Sequence, residues 1–267
     1  MSNEPRVFVH PDVERLAATV AARFVTKVDA LIEEFGEANV VLTGGSVGIQ
    51  VLAAVRDARG VDAVDWSRVN WWWGDDRWVP KDHEDRNERQ AREALLDHIP
   101  VDESRVHPFP AADEGLELDE AAKRYAAELV AAAPSNLPLP PFDICFLGVG
   151  PDGHIASLFP GSEGIRERER TVVAVRNAPK PPPERLSLTL PVINSAARVW
   201  MVLAGADKAS VLGLALAGAN KHELPVAGVL ARRTTIFNVD AAGAAEVPSS
   251  LIDPGEFWTA RDEAPDA

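Results

Sequence analysis

Cysteine is almost missing from this sequence: Cys145 is the only one in 267 residues. A disulfide framework is therefore excluded. Cys145 lies inside an apolar run, and a reducing, cytoplasmic setting is the simplest expectation. Cations are scarce as well, with 27 Lys and Arg against 41 Asp and Glu and a formal net charge of -14. A field of that sign repels phosphate backbones and acidic lipid, so neither nucleic acid nor a membrane surface is expected as a partner. It also sets a condition: an anionic substrate must be met by cations gathered locally. No apolar run approaches the ~20 residues of a membrane-spanning helix. Met1-Ser2-Asn3-Glu4-Pro5 has no basic n-region and no apolar h-region follows, so no secretory leader is expected. No internal repeat is present.

What the chain does have is alternation. Val7-Phe8-Val9 reads as a short strand, and after His10-Pro11-Asp12 the residues Leu16, Val20, Phe24, Val28, Leu31 and Phe35 recur at helical spacing up to Gly36. Further strands are expected over 39–42, 69–73, 106–109, 171–176, 184–190, 199–204 and 234–239, with helices over 49–59, 118–133 and 208–217 and one ending at Leu96. The run from Phe142 to Gly150 is apolar apart from Asp143, as in a strand buried on both faces of a parallel sheet, and about one helical turn is expected before Pro160-Gly161. Strands alternating with helices imply parallel strands and right-handed crossovers. The expected fold is α/β, a three-layer α/β/α arrangement around a Rossmann-like, mostly parallel sheet. The proline-rich connector 134–141 is too short for a boundary. Residues 1–253 are therefore expected to form one domain, followed by an acidic tail, 254–267, expected to be mobile.

Four strands end in glycine followed by polar residues: Thr43-Gly44-Gly45-Ser46, Gly74-Asp75-Asp76-Arg77, Gly150-Pro151-Asp152-Gly153-His154 and Gly205-Ala206-Asp207-Lys208. In a parallel sheet such ends lie along one edge, where α/β proteins bind ligands. Each alone is equally well an ordinary turn. Gly44, Gly45 and Ser46 suit a phosphate cradle, because small residues let backbone N–H groups approach an anion at a helix start. The stretch is not a P-loop, which needs Gly-Lys-Ser/Thr. Lys208 opens a helix, where the dipole disfavours a cation unless an anion sits between them; a solvated lysine is the other reading. Arg185 shares a strand face with Ser187 and Thr189, either as an anion-binding row or as an edge strand with a wet face.

Asp152 and His154 suit an acid–base pair, the carboxylate orienting the imidazole. Gly148, Gly150 and Gly153 satisfy G-x-G-x-x-G, but Pro160-Gly161 cuts off the helix a dinucleotide would need, so no nicotinamide or flavin is expected. A metal site would have to enlist Asp75, Asp76, His83, Asp152 and His154; without a His-x-x-x-His or cysteine cluster no metal is expected. Cys145 in its apolar run is a poor nucleophile. Water activated by a histidine base and acting on a phosphorylated small molecule uses all four endings.

Gly148-Val149-Gly150-Pro151-Asp152-Gly153-His154-Ile155-Ala156-Ser157-Leu158-Phe159-Pro160-Gly161 resembles the signature of the 6-phosphogluconolactonase family. The resemblance extends through Leu42 to Ser46, Asp75 to Pro80, Asn87, Lys180 to Thr189 and Gly205 to Lys208, covering nearly the whole chain in order. It implies a fold of the NagB/RpiA-like kind. It implies hydrolysis of 6-phospho-D-glucono-1,5-lactone to 6-phospho-D-gluconate, the second step of the oxidative pentose phosphate pathway, without cofactor or metal; the acidic surface fits a monomer as well as a dimer. It implies His154 as general base with Asp152 beside it, Gly44, Gly45, Ser46, Arg185 and Lys208 around the phosphate, and Asp75 and Arg77 near the sugar. Asp76 stands where that family commonly has Glu, Arg86 where Ser is usual, and Ile155 where Thr is frequent. The related glucosamine-6-phosphate deaminases share Asp-Gly-His but continue with Phe-Asn-Glu-Pro in place of Ser157-Leu158-Phe159-Pro160. A deaminase/isomerase and a non-catalytic sugar-phosphate sensor are the two alternatives.

Overall fold

The alternation resolves into β1 (Arg6–His10), α1 (Val13–Phe35), β2 (Ala38–Leu42), α2 (Ser46–Arg56), β3 (Val69–Trp73), β4 (Asp75–Arg77), α3 (Asn87–Ala94), α4 (Leu118–Ala132) and β5 (Ile144–Gly148). The second half adds α5 (Glu163–Arg166), β6 (Val172–Val175), β7 (Arg185–Leu188), α6 (Leu190–Asn194), β8 (Arg198–Leu203), α7 (Ala209–Leu216) and β9 (Thr234–Asp240). The computed structural model describes residues 4–253, so the acidic tail 254–267 lies outside the described residues.

Local chemistry sets the element ends. Asp12 caps α1 by accepting the Arg15 N–H at 2.8 Å, and Gly36, at φ 82°, closes it with its N–H on the Ile32 carbonyl at 2.9 Å. Leu16, Val20, Phe24, Val28 and Leu31 are buried as their spacing predicts, while Phe35 at the helix end is 49% exposed.

Six parallel strands form the main sheet in the order β1-β9-β8-β5-β2-β3. After β2 the chain runs outward to β3, then returns to place β5 on the other side of β2. That reversal opens a crevice at the carboxyl ends of β2 and β5, the position where such sheets bind ligands. The core packs against this sheet with Trp66, Trp71, Trp72, Trp73 and Trp200 buried, and the Trp66 and Trp71 rings stack at 5.9 Å. Cys145 is buried there too, and burial pushes its thiol up to about 12.

The sequence reading departs from the structure in four places. β4, β7 and β6 form a separate antiparallel sheet instead of extending the parallel one. Gly74 joins the two sheets: its N–H donates to Leu42 at 2.9 Å and its carbonyl accepts from Leu188 N–H at 2.8 Å. The period of two over 184–190 is not a wet face, since β7 is the middle strand of its sheet and Arg185, Leu186, Ser187 and Leu188 are all buried. The expected strand 106–109 shrinks to one bridge between Trp71 and Val106. The helical turn expected after His154 is instead a tight fold-back, with antiparallel bridges Val149–Ile155 and Ile155–Leu158.

Candidate active site

The crevice at the β2/β5 reversal is a cleft of about 330 Å³, and Gly44, Gly45, Ser46, Asp75, Arg77, His154, Arg185 and Lys208 all line it. All four glycine-marked strand ends meet there. Asp152 stands behind His154 and reaches the cleft only through it.

The His154 turn depends on its glycines. The Gly150 N–H donates to the His154 carbonyl at 2.9 Å and the Gly153 N–H to the Gly150 carbonyl at 3.0 Å, with Gly153 at φ 80°. A Cβ on Gly150 would lie 2.0 Å from His154 Nδ1 and 2.5 Å from Asp152 Oδ1, so only glycine lets acid and imidazole close on each other. They do so at 2.5 Å, Nδ1 to Oδ1. Burial pushes the Asp152 carboxyl up, but the hydrogen bond and charge of His154 outweigh it and hold the group down at about 2. An ionised Asp152 accepts, so Nδ1 carries the proton and Nε2 keeps its lone pair. Phe159 flanks the imidazole with ring centres 4.7 Å apart.

Another part of the cleft wall is built from backbone and arginines. Gly45 adopts φ 83°, ψ 160°, a region open essentially to glycine, and precedes α2 without a side-chain cap. The first intrahelical bond is Ile49 N–H to Gly45 O at 3.0 Å, which leaves the N–H groups of Ser46, Val47 and Gly48 and the positive helix end facing the cleft. Asn87 packs so closely on this loop that a Cβ at Gly44 would sit 1.9 Å from its Oδ1. Arg77 and Arg185 are register partners across β4 and β7. Arg185 donates to the carbonyls of Lys180 at 2.8 Å and Pro182 at 3.0 Å, fixing the loop that brings Lys180 to the cleft. Burial works against the Arg185 charge and the Asp75 carboxylate supports it. Lys208 occupies the residue before α7 without a side-chain capping bond and pairs with Asp207. Arg77, Lys180, Arg185 and Lys208 thus concentrate positive charge in a chain of net charge -14.

Asp75 and Asp76, neighbours in sequence, point apart. Asp76 is buried away from the cleft, accepting N–H bonds from Arg77 at 2.8 Å and Asn87 at 2.7 Å, with Arg86 at 3.4 Å. Burial pushes its carboxyl up to about 6 against the pull of Arg86 and these N–H groups. Its work is to cap α3 and neutralise Arg86, so the Asp76 and Arg86 side chains are one buried unit. Asp76→Ala is expected to destabilise the fold by about 1–3 kcal/mol, because it leaves the N–H groups of Arg77, Asn87 and Glu88 without their acceptor, while Glu88 at 3.0 Å still pairs with Arg86; a chemical denaturation curve measures this. Among the described residues, no three His, Cys, Asp or Glu side chains gather as a metal site.

Asn87, Lys180 and Thr43 line the cleft without having been singled out as site residues from the sequence. Asn87 and Lys180 carried no local pattern to mark them, whereas Thr43 opens one of the four glycine-marked endings. Gly44-Gly45-Ser46-Val47-Gly48 does fit Gly-x-Ser-x-Gly. Among the described residues, however, no hydrogen bond joins Ser46 to His154, as a serine nucleophile and its base require.

A family model described as glucosamine-6-phosphate isomerases/6-phosphogluconolactonase matches residues 11–237. The 6-phosphogluconolactonase of Streptomyces coelicolor is 47% identical over 258 residues, 95% of this chain and 99% of that protein. The 6-phosphogluconolactonase of Mycobacterium leprae is 43% identical, over 91% of this chain and 98% of that protein. Among solved structures, 6-phosphogluconolactonase from Trypanosoma brucei superposes with a TM-score of 0.78 at 27% identity, over 92% of this chain and 100% of that one.

Proposed function

Because the chain belongs to the glucosamine-6-phosphate isomerase/6-phosphogluconolactonase family and hydrolyses 6-phospho-D-glucono-1,5-lactone to 6-phospho-D-gluconate, we propose that His154 is the base that activates the water. His154 Nε2 takes a proton as the water oxygen bonds to the lactone carbonyl carbon. The tetrahedral intermediate collapses with cleavage of the bond to the ring oxygen, and the imidazolium returns its proton there. Asp152 holds the tautomer and offsets the imidazolium charge. Gly44, Gly45, Ser46, Arg185 and Lys208 take the phosphate, and Arg77 with Asp75 borders the sugar. Residues 1–253 act as one catalytic domain, which we place in the cytoplasm; no described helix is long and apolar enough to cross a membrane.

The observation that carries this reading is the convergence, in one cleft, of an imidazole with a free Nε2 and an arginine- and lysine-lined anion cradle. A side-by-side assay tests it. Freshly generated phospholactone should be opened far faster than its spontaneous rate, and glucosamine 6-phosphate should release no ammonia. Ammonia release with an unaffected lactone overturns the reading in favour of a deaminase, and silence on both points to a sensor.

A further inference from the structure

The turn that carries the imidazole contains a strained residue. Ala156, between His154 and Ser157, has φ 47°, a left-handed conformation that a side chain disfavours. Such strain persists only where the surroundings impose it. Here Ser157, fully buried, supplies two ties: its Oγ–H donates to Asp75 Oδ2 at 2.6 Å, and its N–H donates to Ser187 Oγ at 3.2 Å. Both acceptors belong to the antiparallel sheet, where Asp75 on β4 and Ser187 on β7 are register partners. Asp75 is itself immobilised, since Asn87 Nδ2 donates to its backbone carbonyl at 2.9 Å and to Oδ1 at 3.2 Å.

The consequence is geometric. His154 is rooted on β5 of the parallel sheet, whereas Arg77 and Arg185 ride on β4 and β7 of the other sheet. A substrate that touches Arg77 and Arg185 and is attacked beside His154 must span both. We propose that Ser157 is a positioning residue: its hydroxyl, bonded to Asp75, pins the strained His154 turn to the antiparallel sheet and fixes the spacing between proton transfer and anion binding. This rests on the reading of His154 as the base.

Ser157→Ala is expected to lower kcat about 10²-fold, the scale of a slight misplacement of a catalytic group. The inhibition constant for inorganic phosphate should stay within about threefold, because the cradle is built from other residues. Adding Ala156→Gly to Ser157→Ala removes the strain that the tie opposes and should recover at least about fivefold in kcat. A kcat within about twofold of wild type, a loss shared by phosphate affinity, or a loss that glycine does not recover overturns the proposal. If Ser157→Ala fails to fold, Ser157→Cys, which keeps the volume and a weak donor, is read the same way. A wild-type chain inactive on the lactone overturns the reading of the site itself; an active wild type with an unaffected Ser157 variant overturns only the positioning role.

Discussion

The His154→Ala variant is expected to lose about 10²–10⁴ in kcat, the usual worth of a general base, while KM changes little. The side chain contributes a lone pair at Nε2, whose availability Asp152 fixes from the opposite side of the ring at 2.5 Å. Removing it leaves the glycine loop, Arg185 and Lys208 in place, so the phosphosugar still binds. The dyad is local, with both residues in one turn closed by the Gly150 and Gly153 N–H groups, so the fold should tolerate the truncation. Stopped-time assays with fresh lactone, corrected for spontaneous opening, give kcat and KM separately. Near-normal turnover would remove His154 from the chemistry.

Arg185→Ala should act on the other parameter, raising KM by about 10²-fold with a smaller change in kcat. One hydrogen bond from a charged group is worth about 1.5–3 kcal/mol, roughly ten- to a hundredfold in affinity. Arg185 also holds the carbonyls of Lys180 and Pro182, so its loss frees the loop that presents a second cation. Lys208→Ala, which supports no comparable loop, should cost less. Arg185→Lys should not restore binding, because an ammonium cannot reproduce the fork that grips both carbonyls and leaves a donor for the ligand. Initial-rate kinetics over a wide lactone range separate the cases, and a pure kcat defect would contradict the phosphate assignment.

Much of this site was legible because strand ends in a parallel sheet share an edge. The four glycine-marked endings converge as that rule requires, and Asp152 with His154 declare themselves by proximity in sequence. The antiparallel sheet was not legible. β4 is three residues of Asp-Asp-Arg directly after a tryptophan run, with no apolar pattern, and it exists because Gly74 hands the chain from one sheet to the other. For the same reason the opposite fates of Asp75 and Asp76 could not be read: strand alternation turns one to the cleft and the other to the α3 N-terminus. The fold-back at Ile155–Leu158 was misread as a helical turn, since its apolar residues carry no mark of the left-handed Ala156 that bends it. Asn87, at the start of α3, and Lys180, on a loop, are placed by long-range contacts, to Asp75 in one case and Arg185 in the other.

The most direct test is the pH dependence of kcat/KM for lactone opening by the wild-type chain, corrected for the uncatalysed rate. The neutral imidazole is the active form, so protonation on lowering the pH removes the base. Asp152, held at about 2, stays ionised throughout and adds no second step. The predicted acid limb therefore falls about tenfold per pH unit, with a slope of one proton. A profile with no acid limb would contradict His154 as the base.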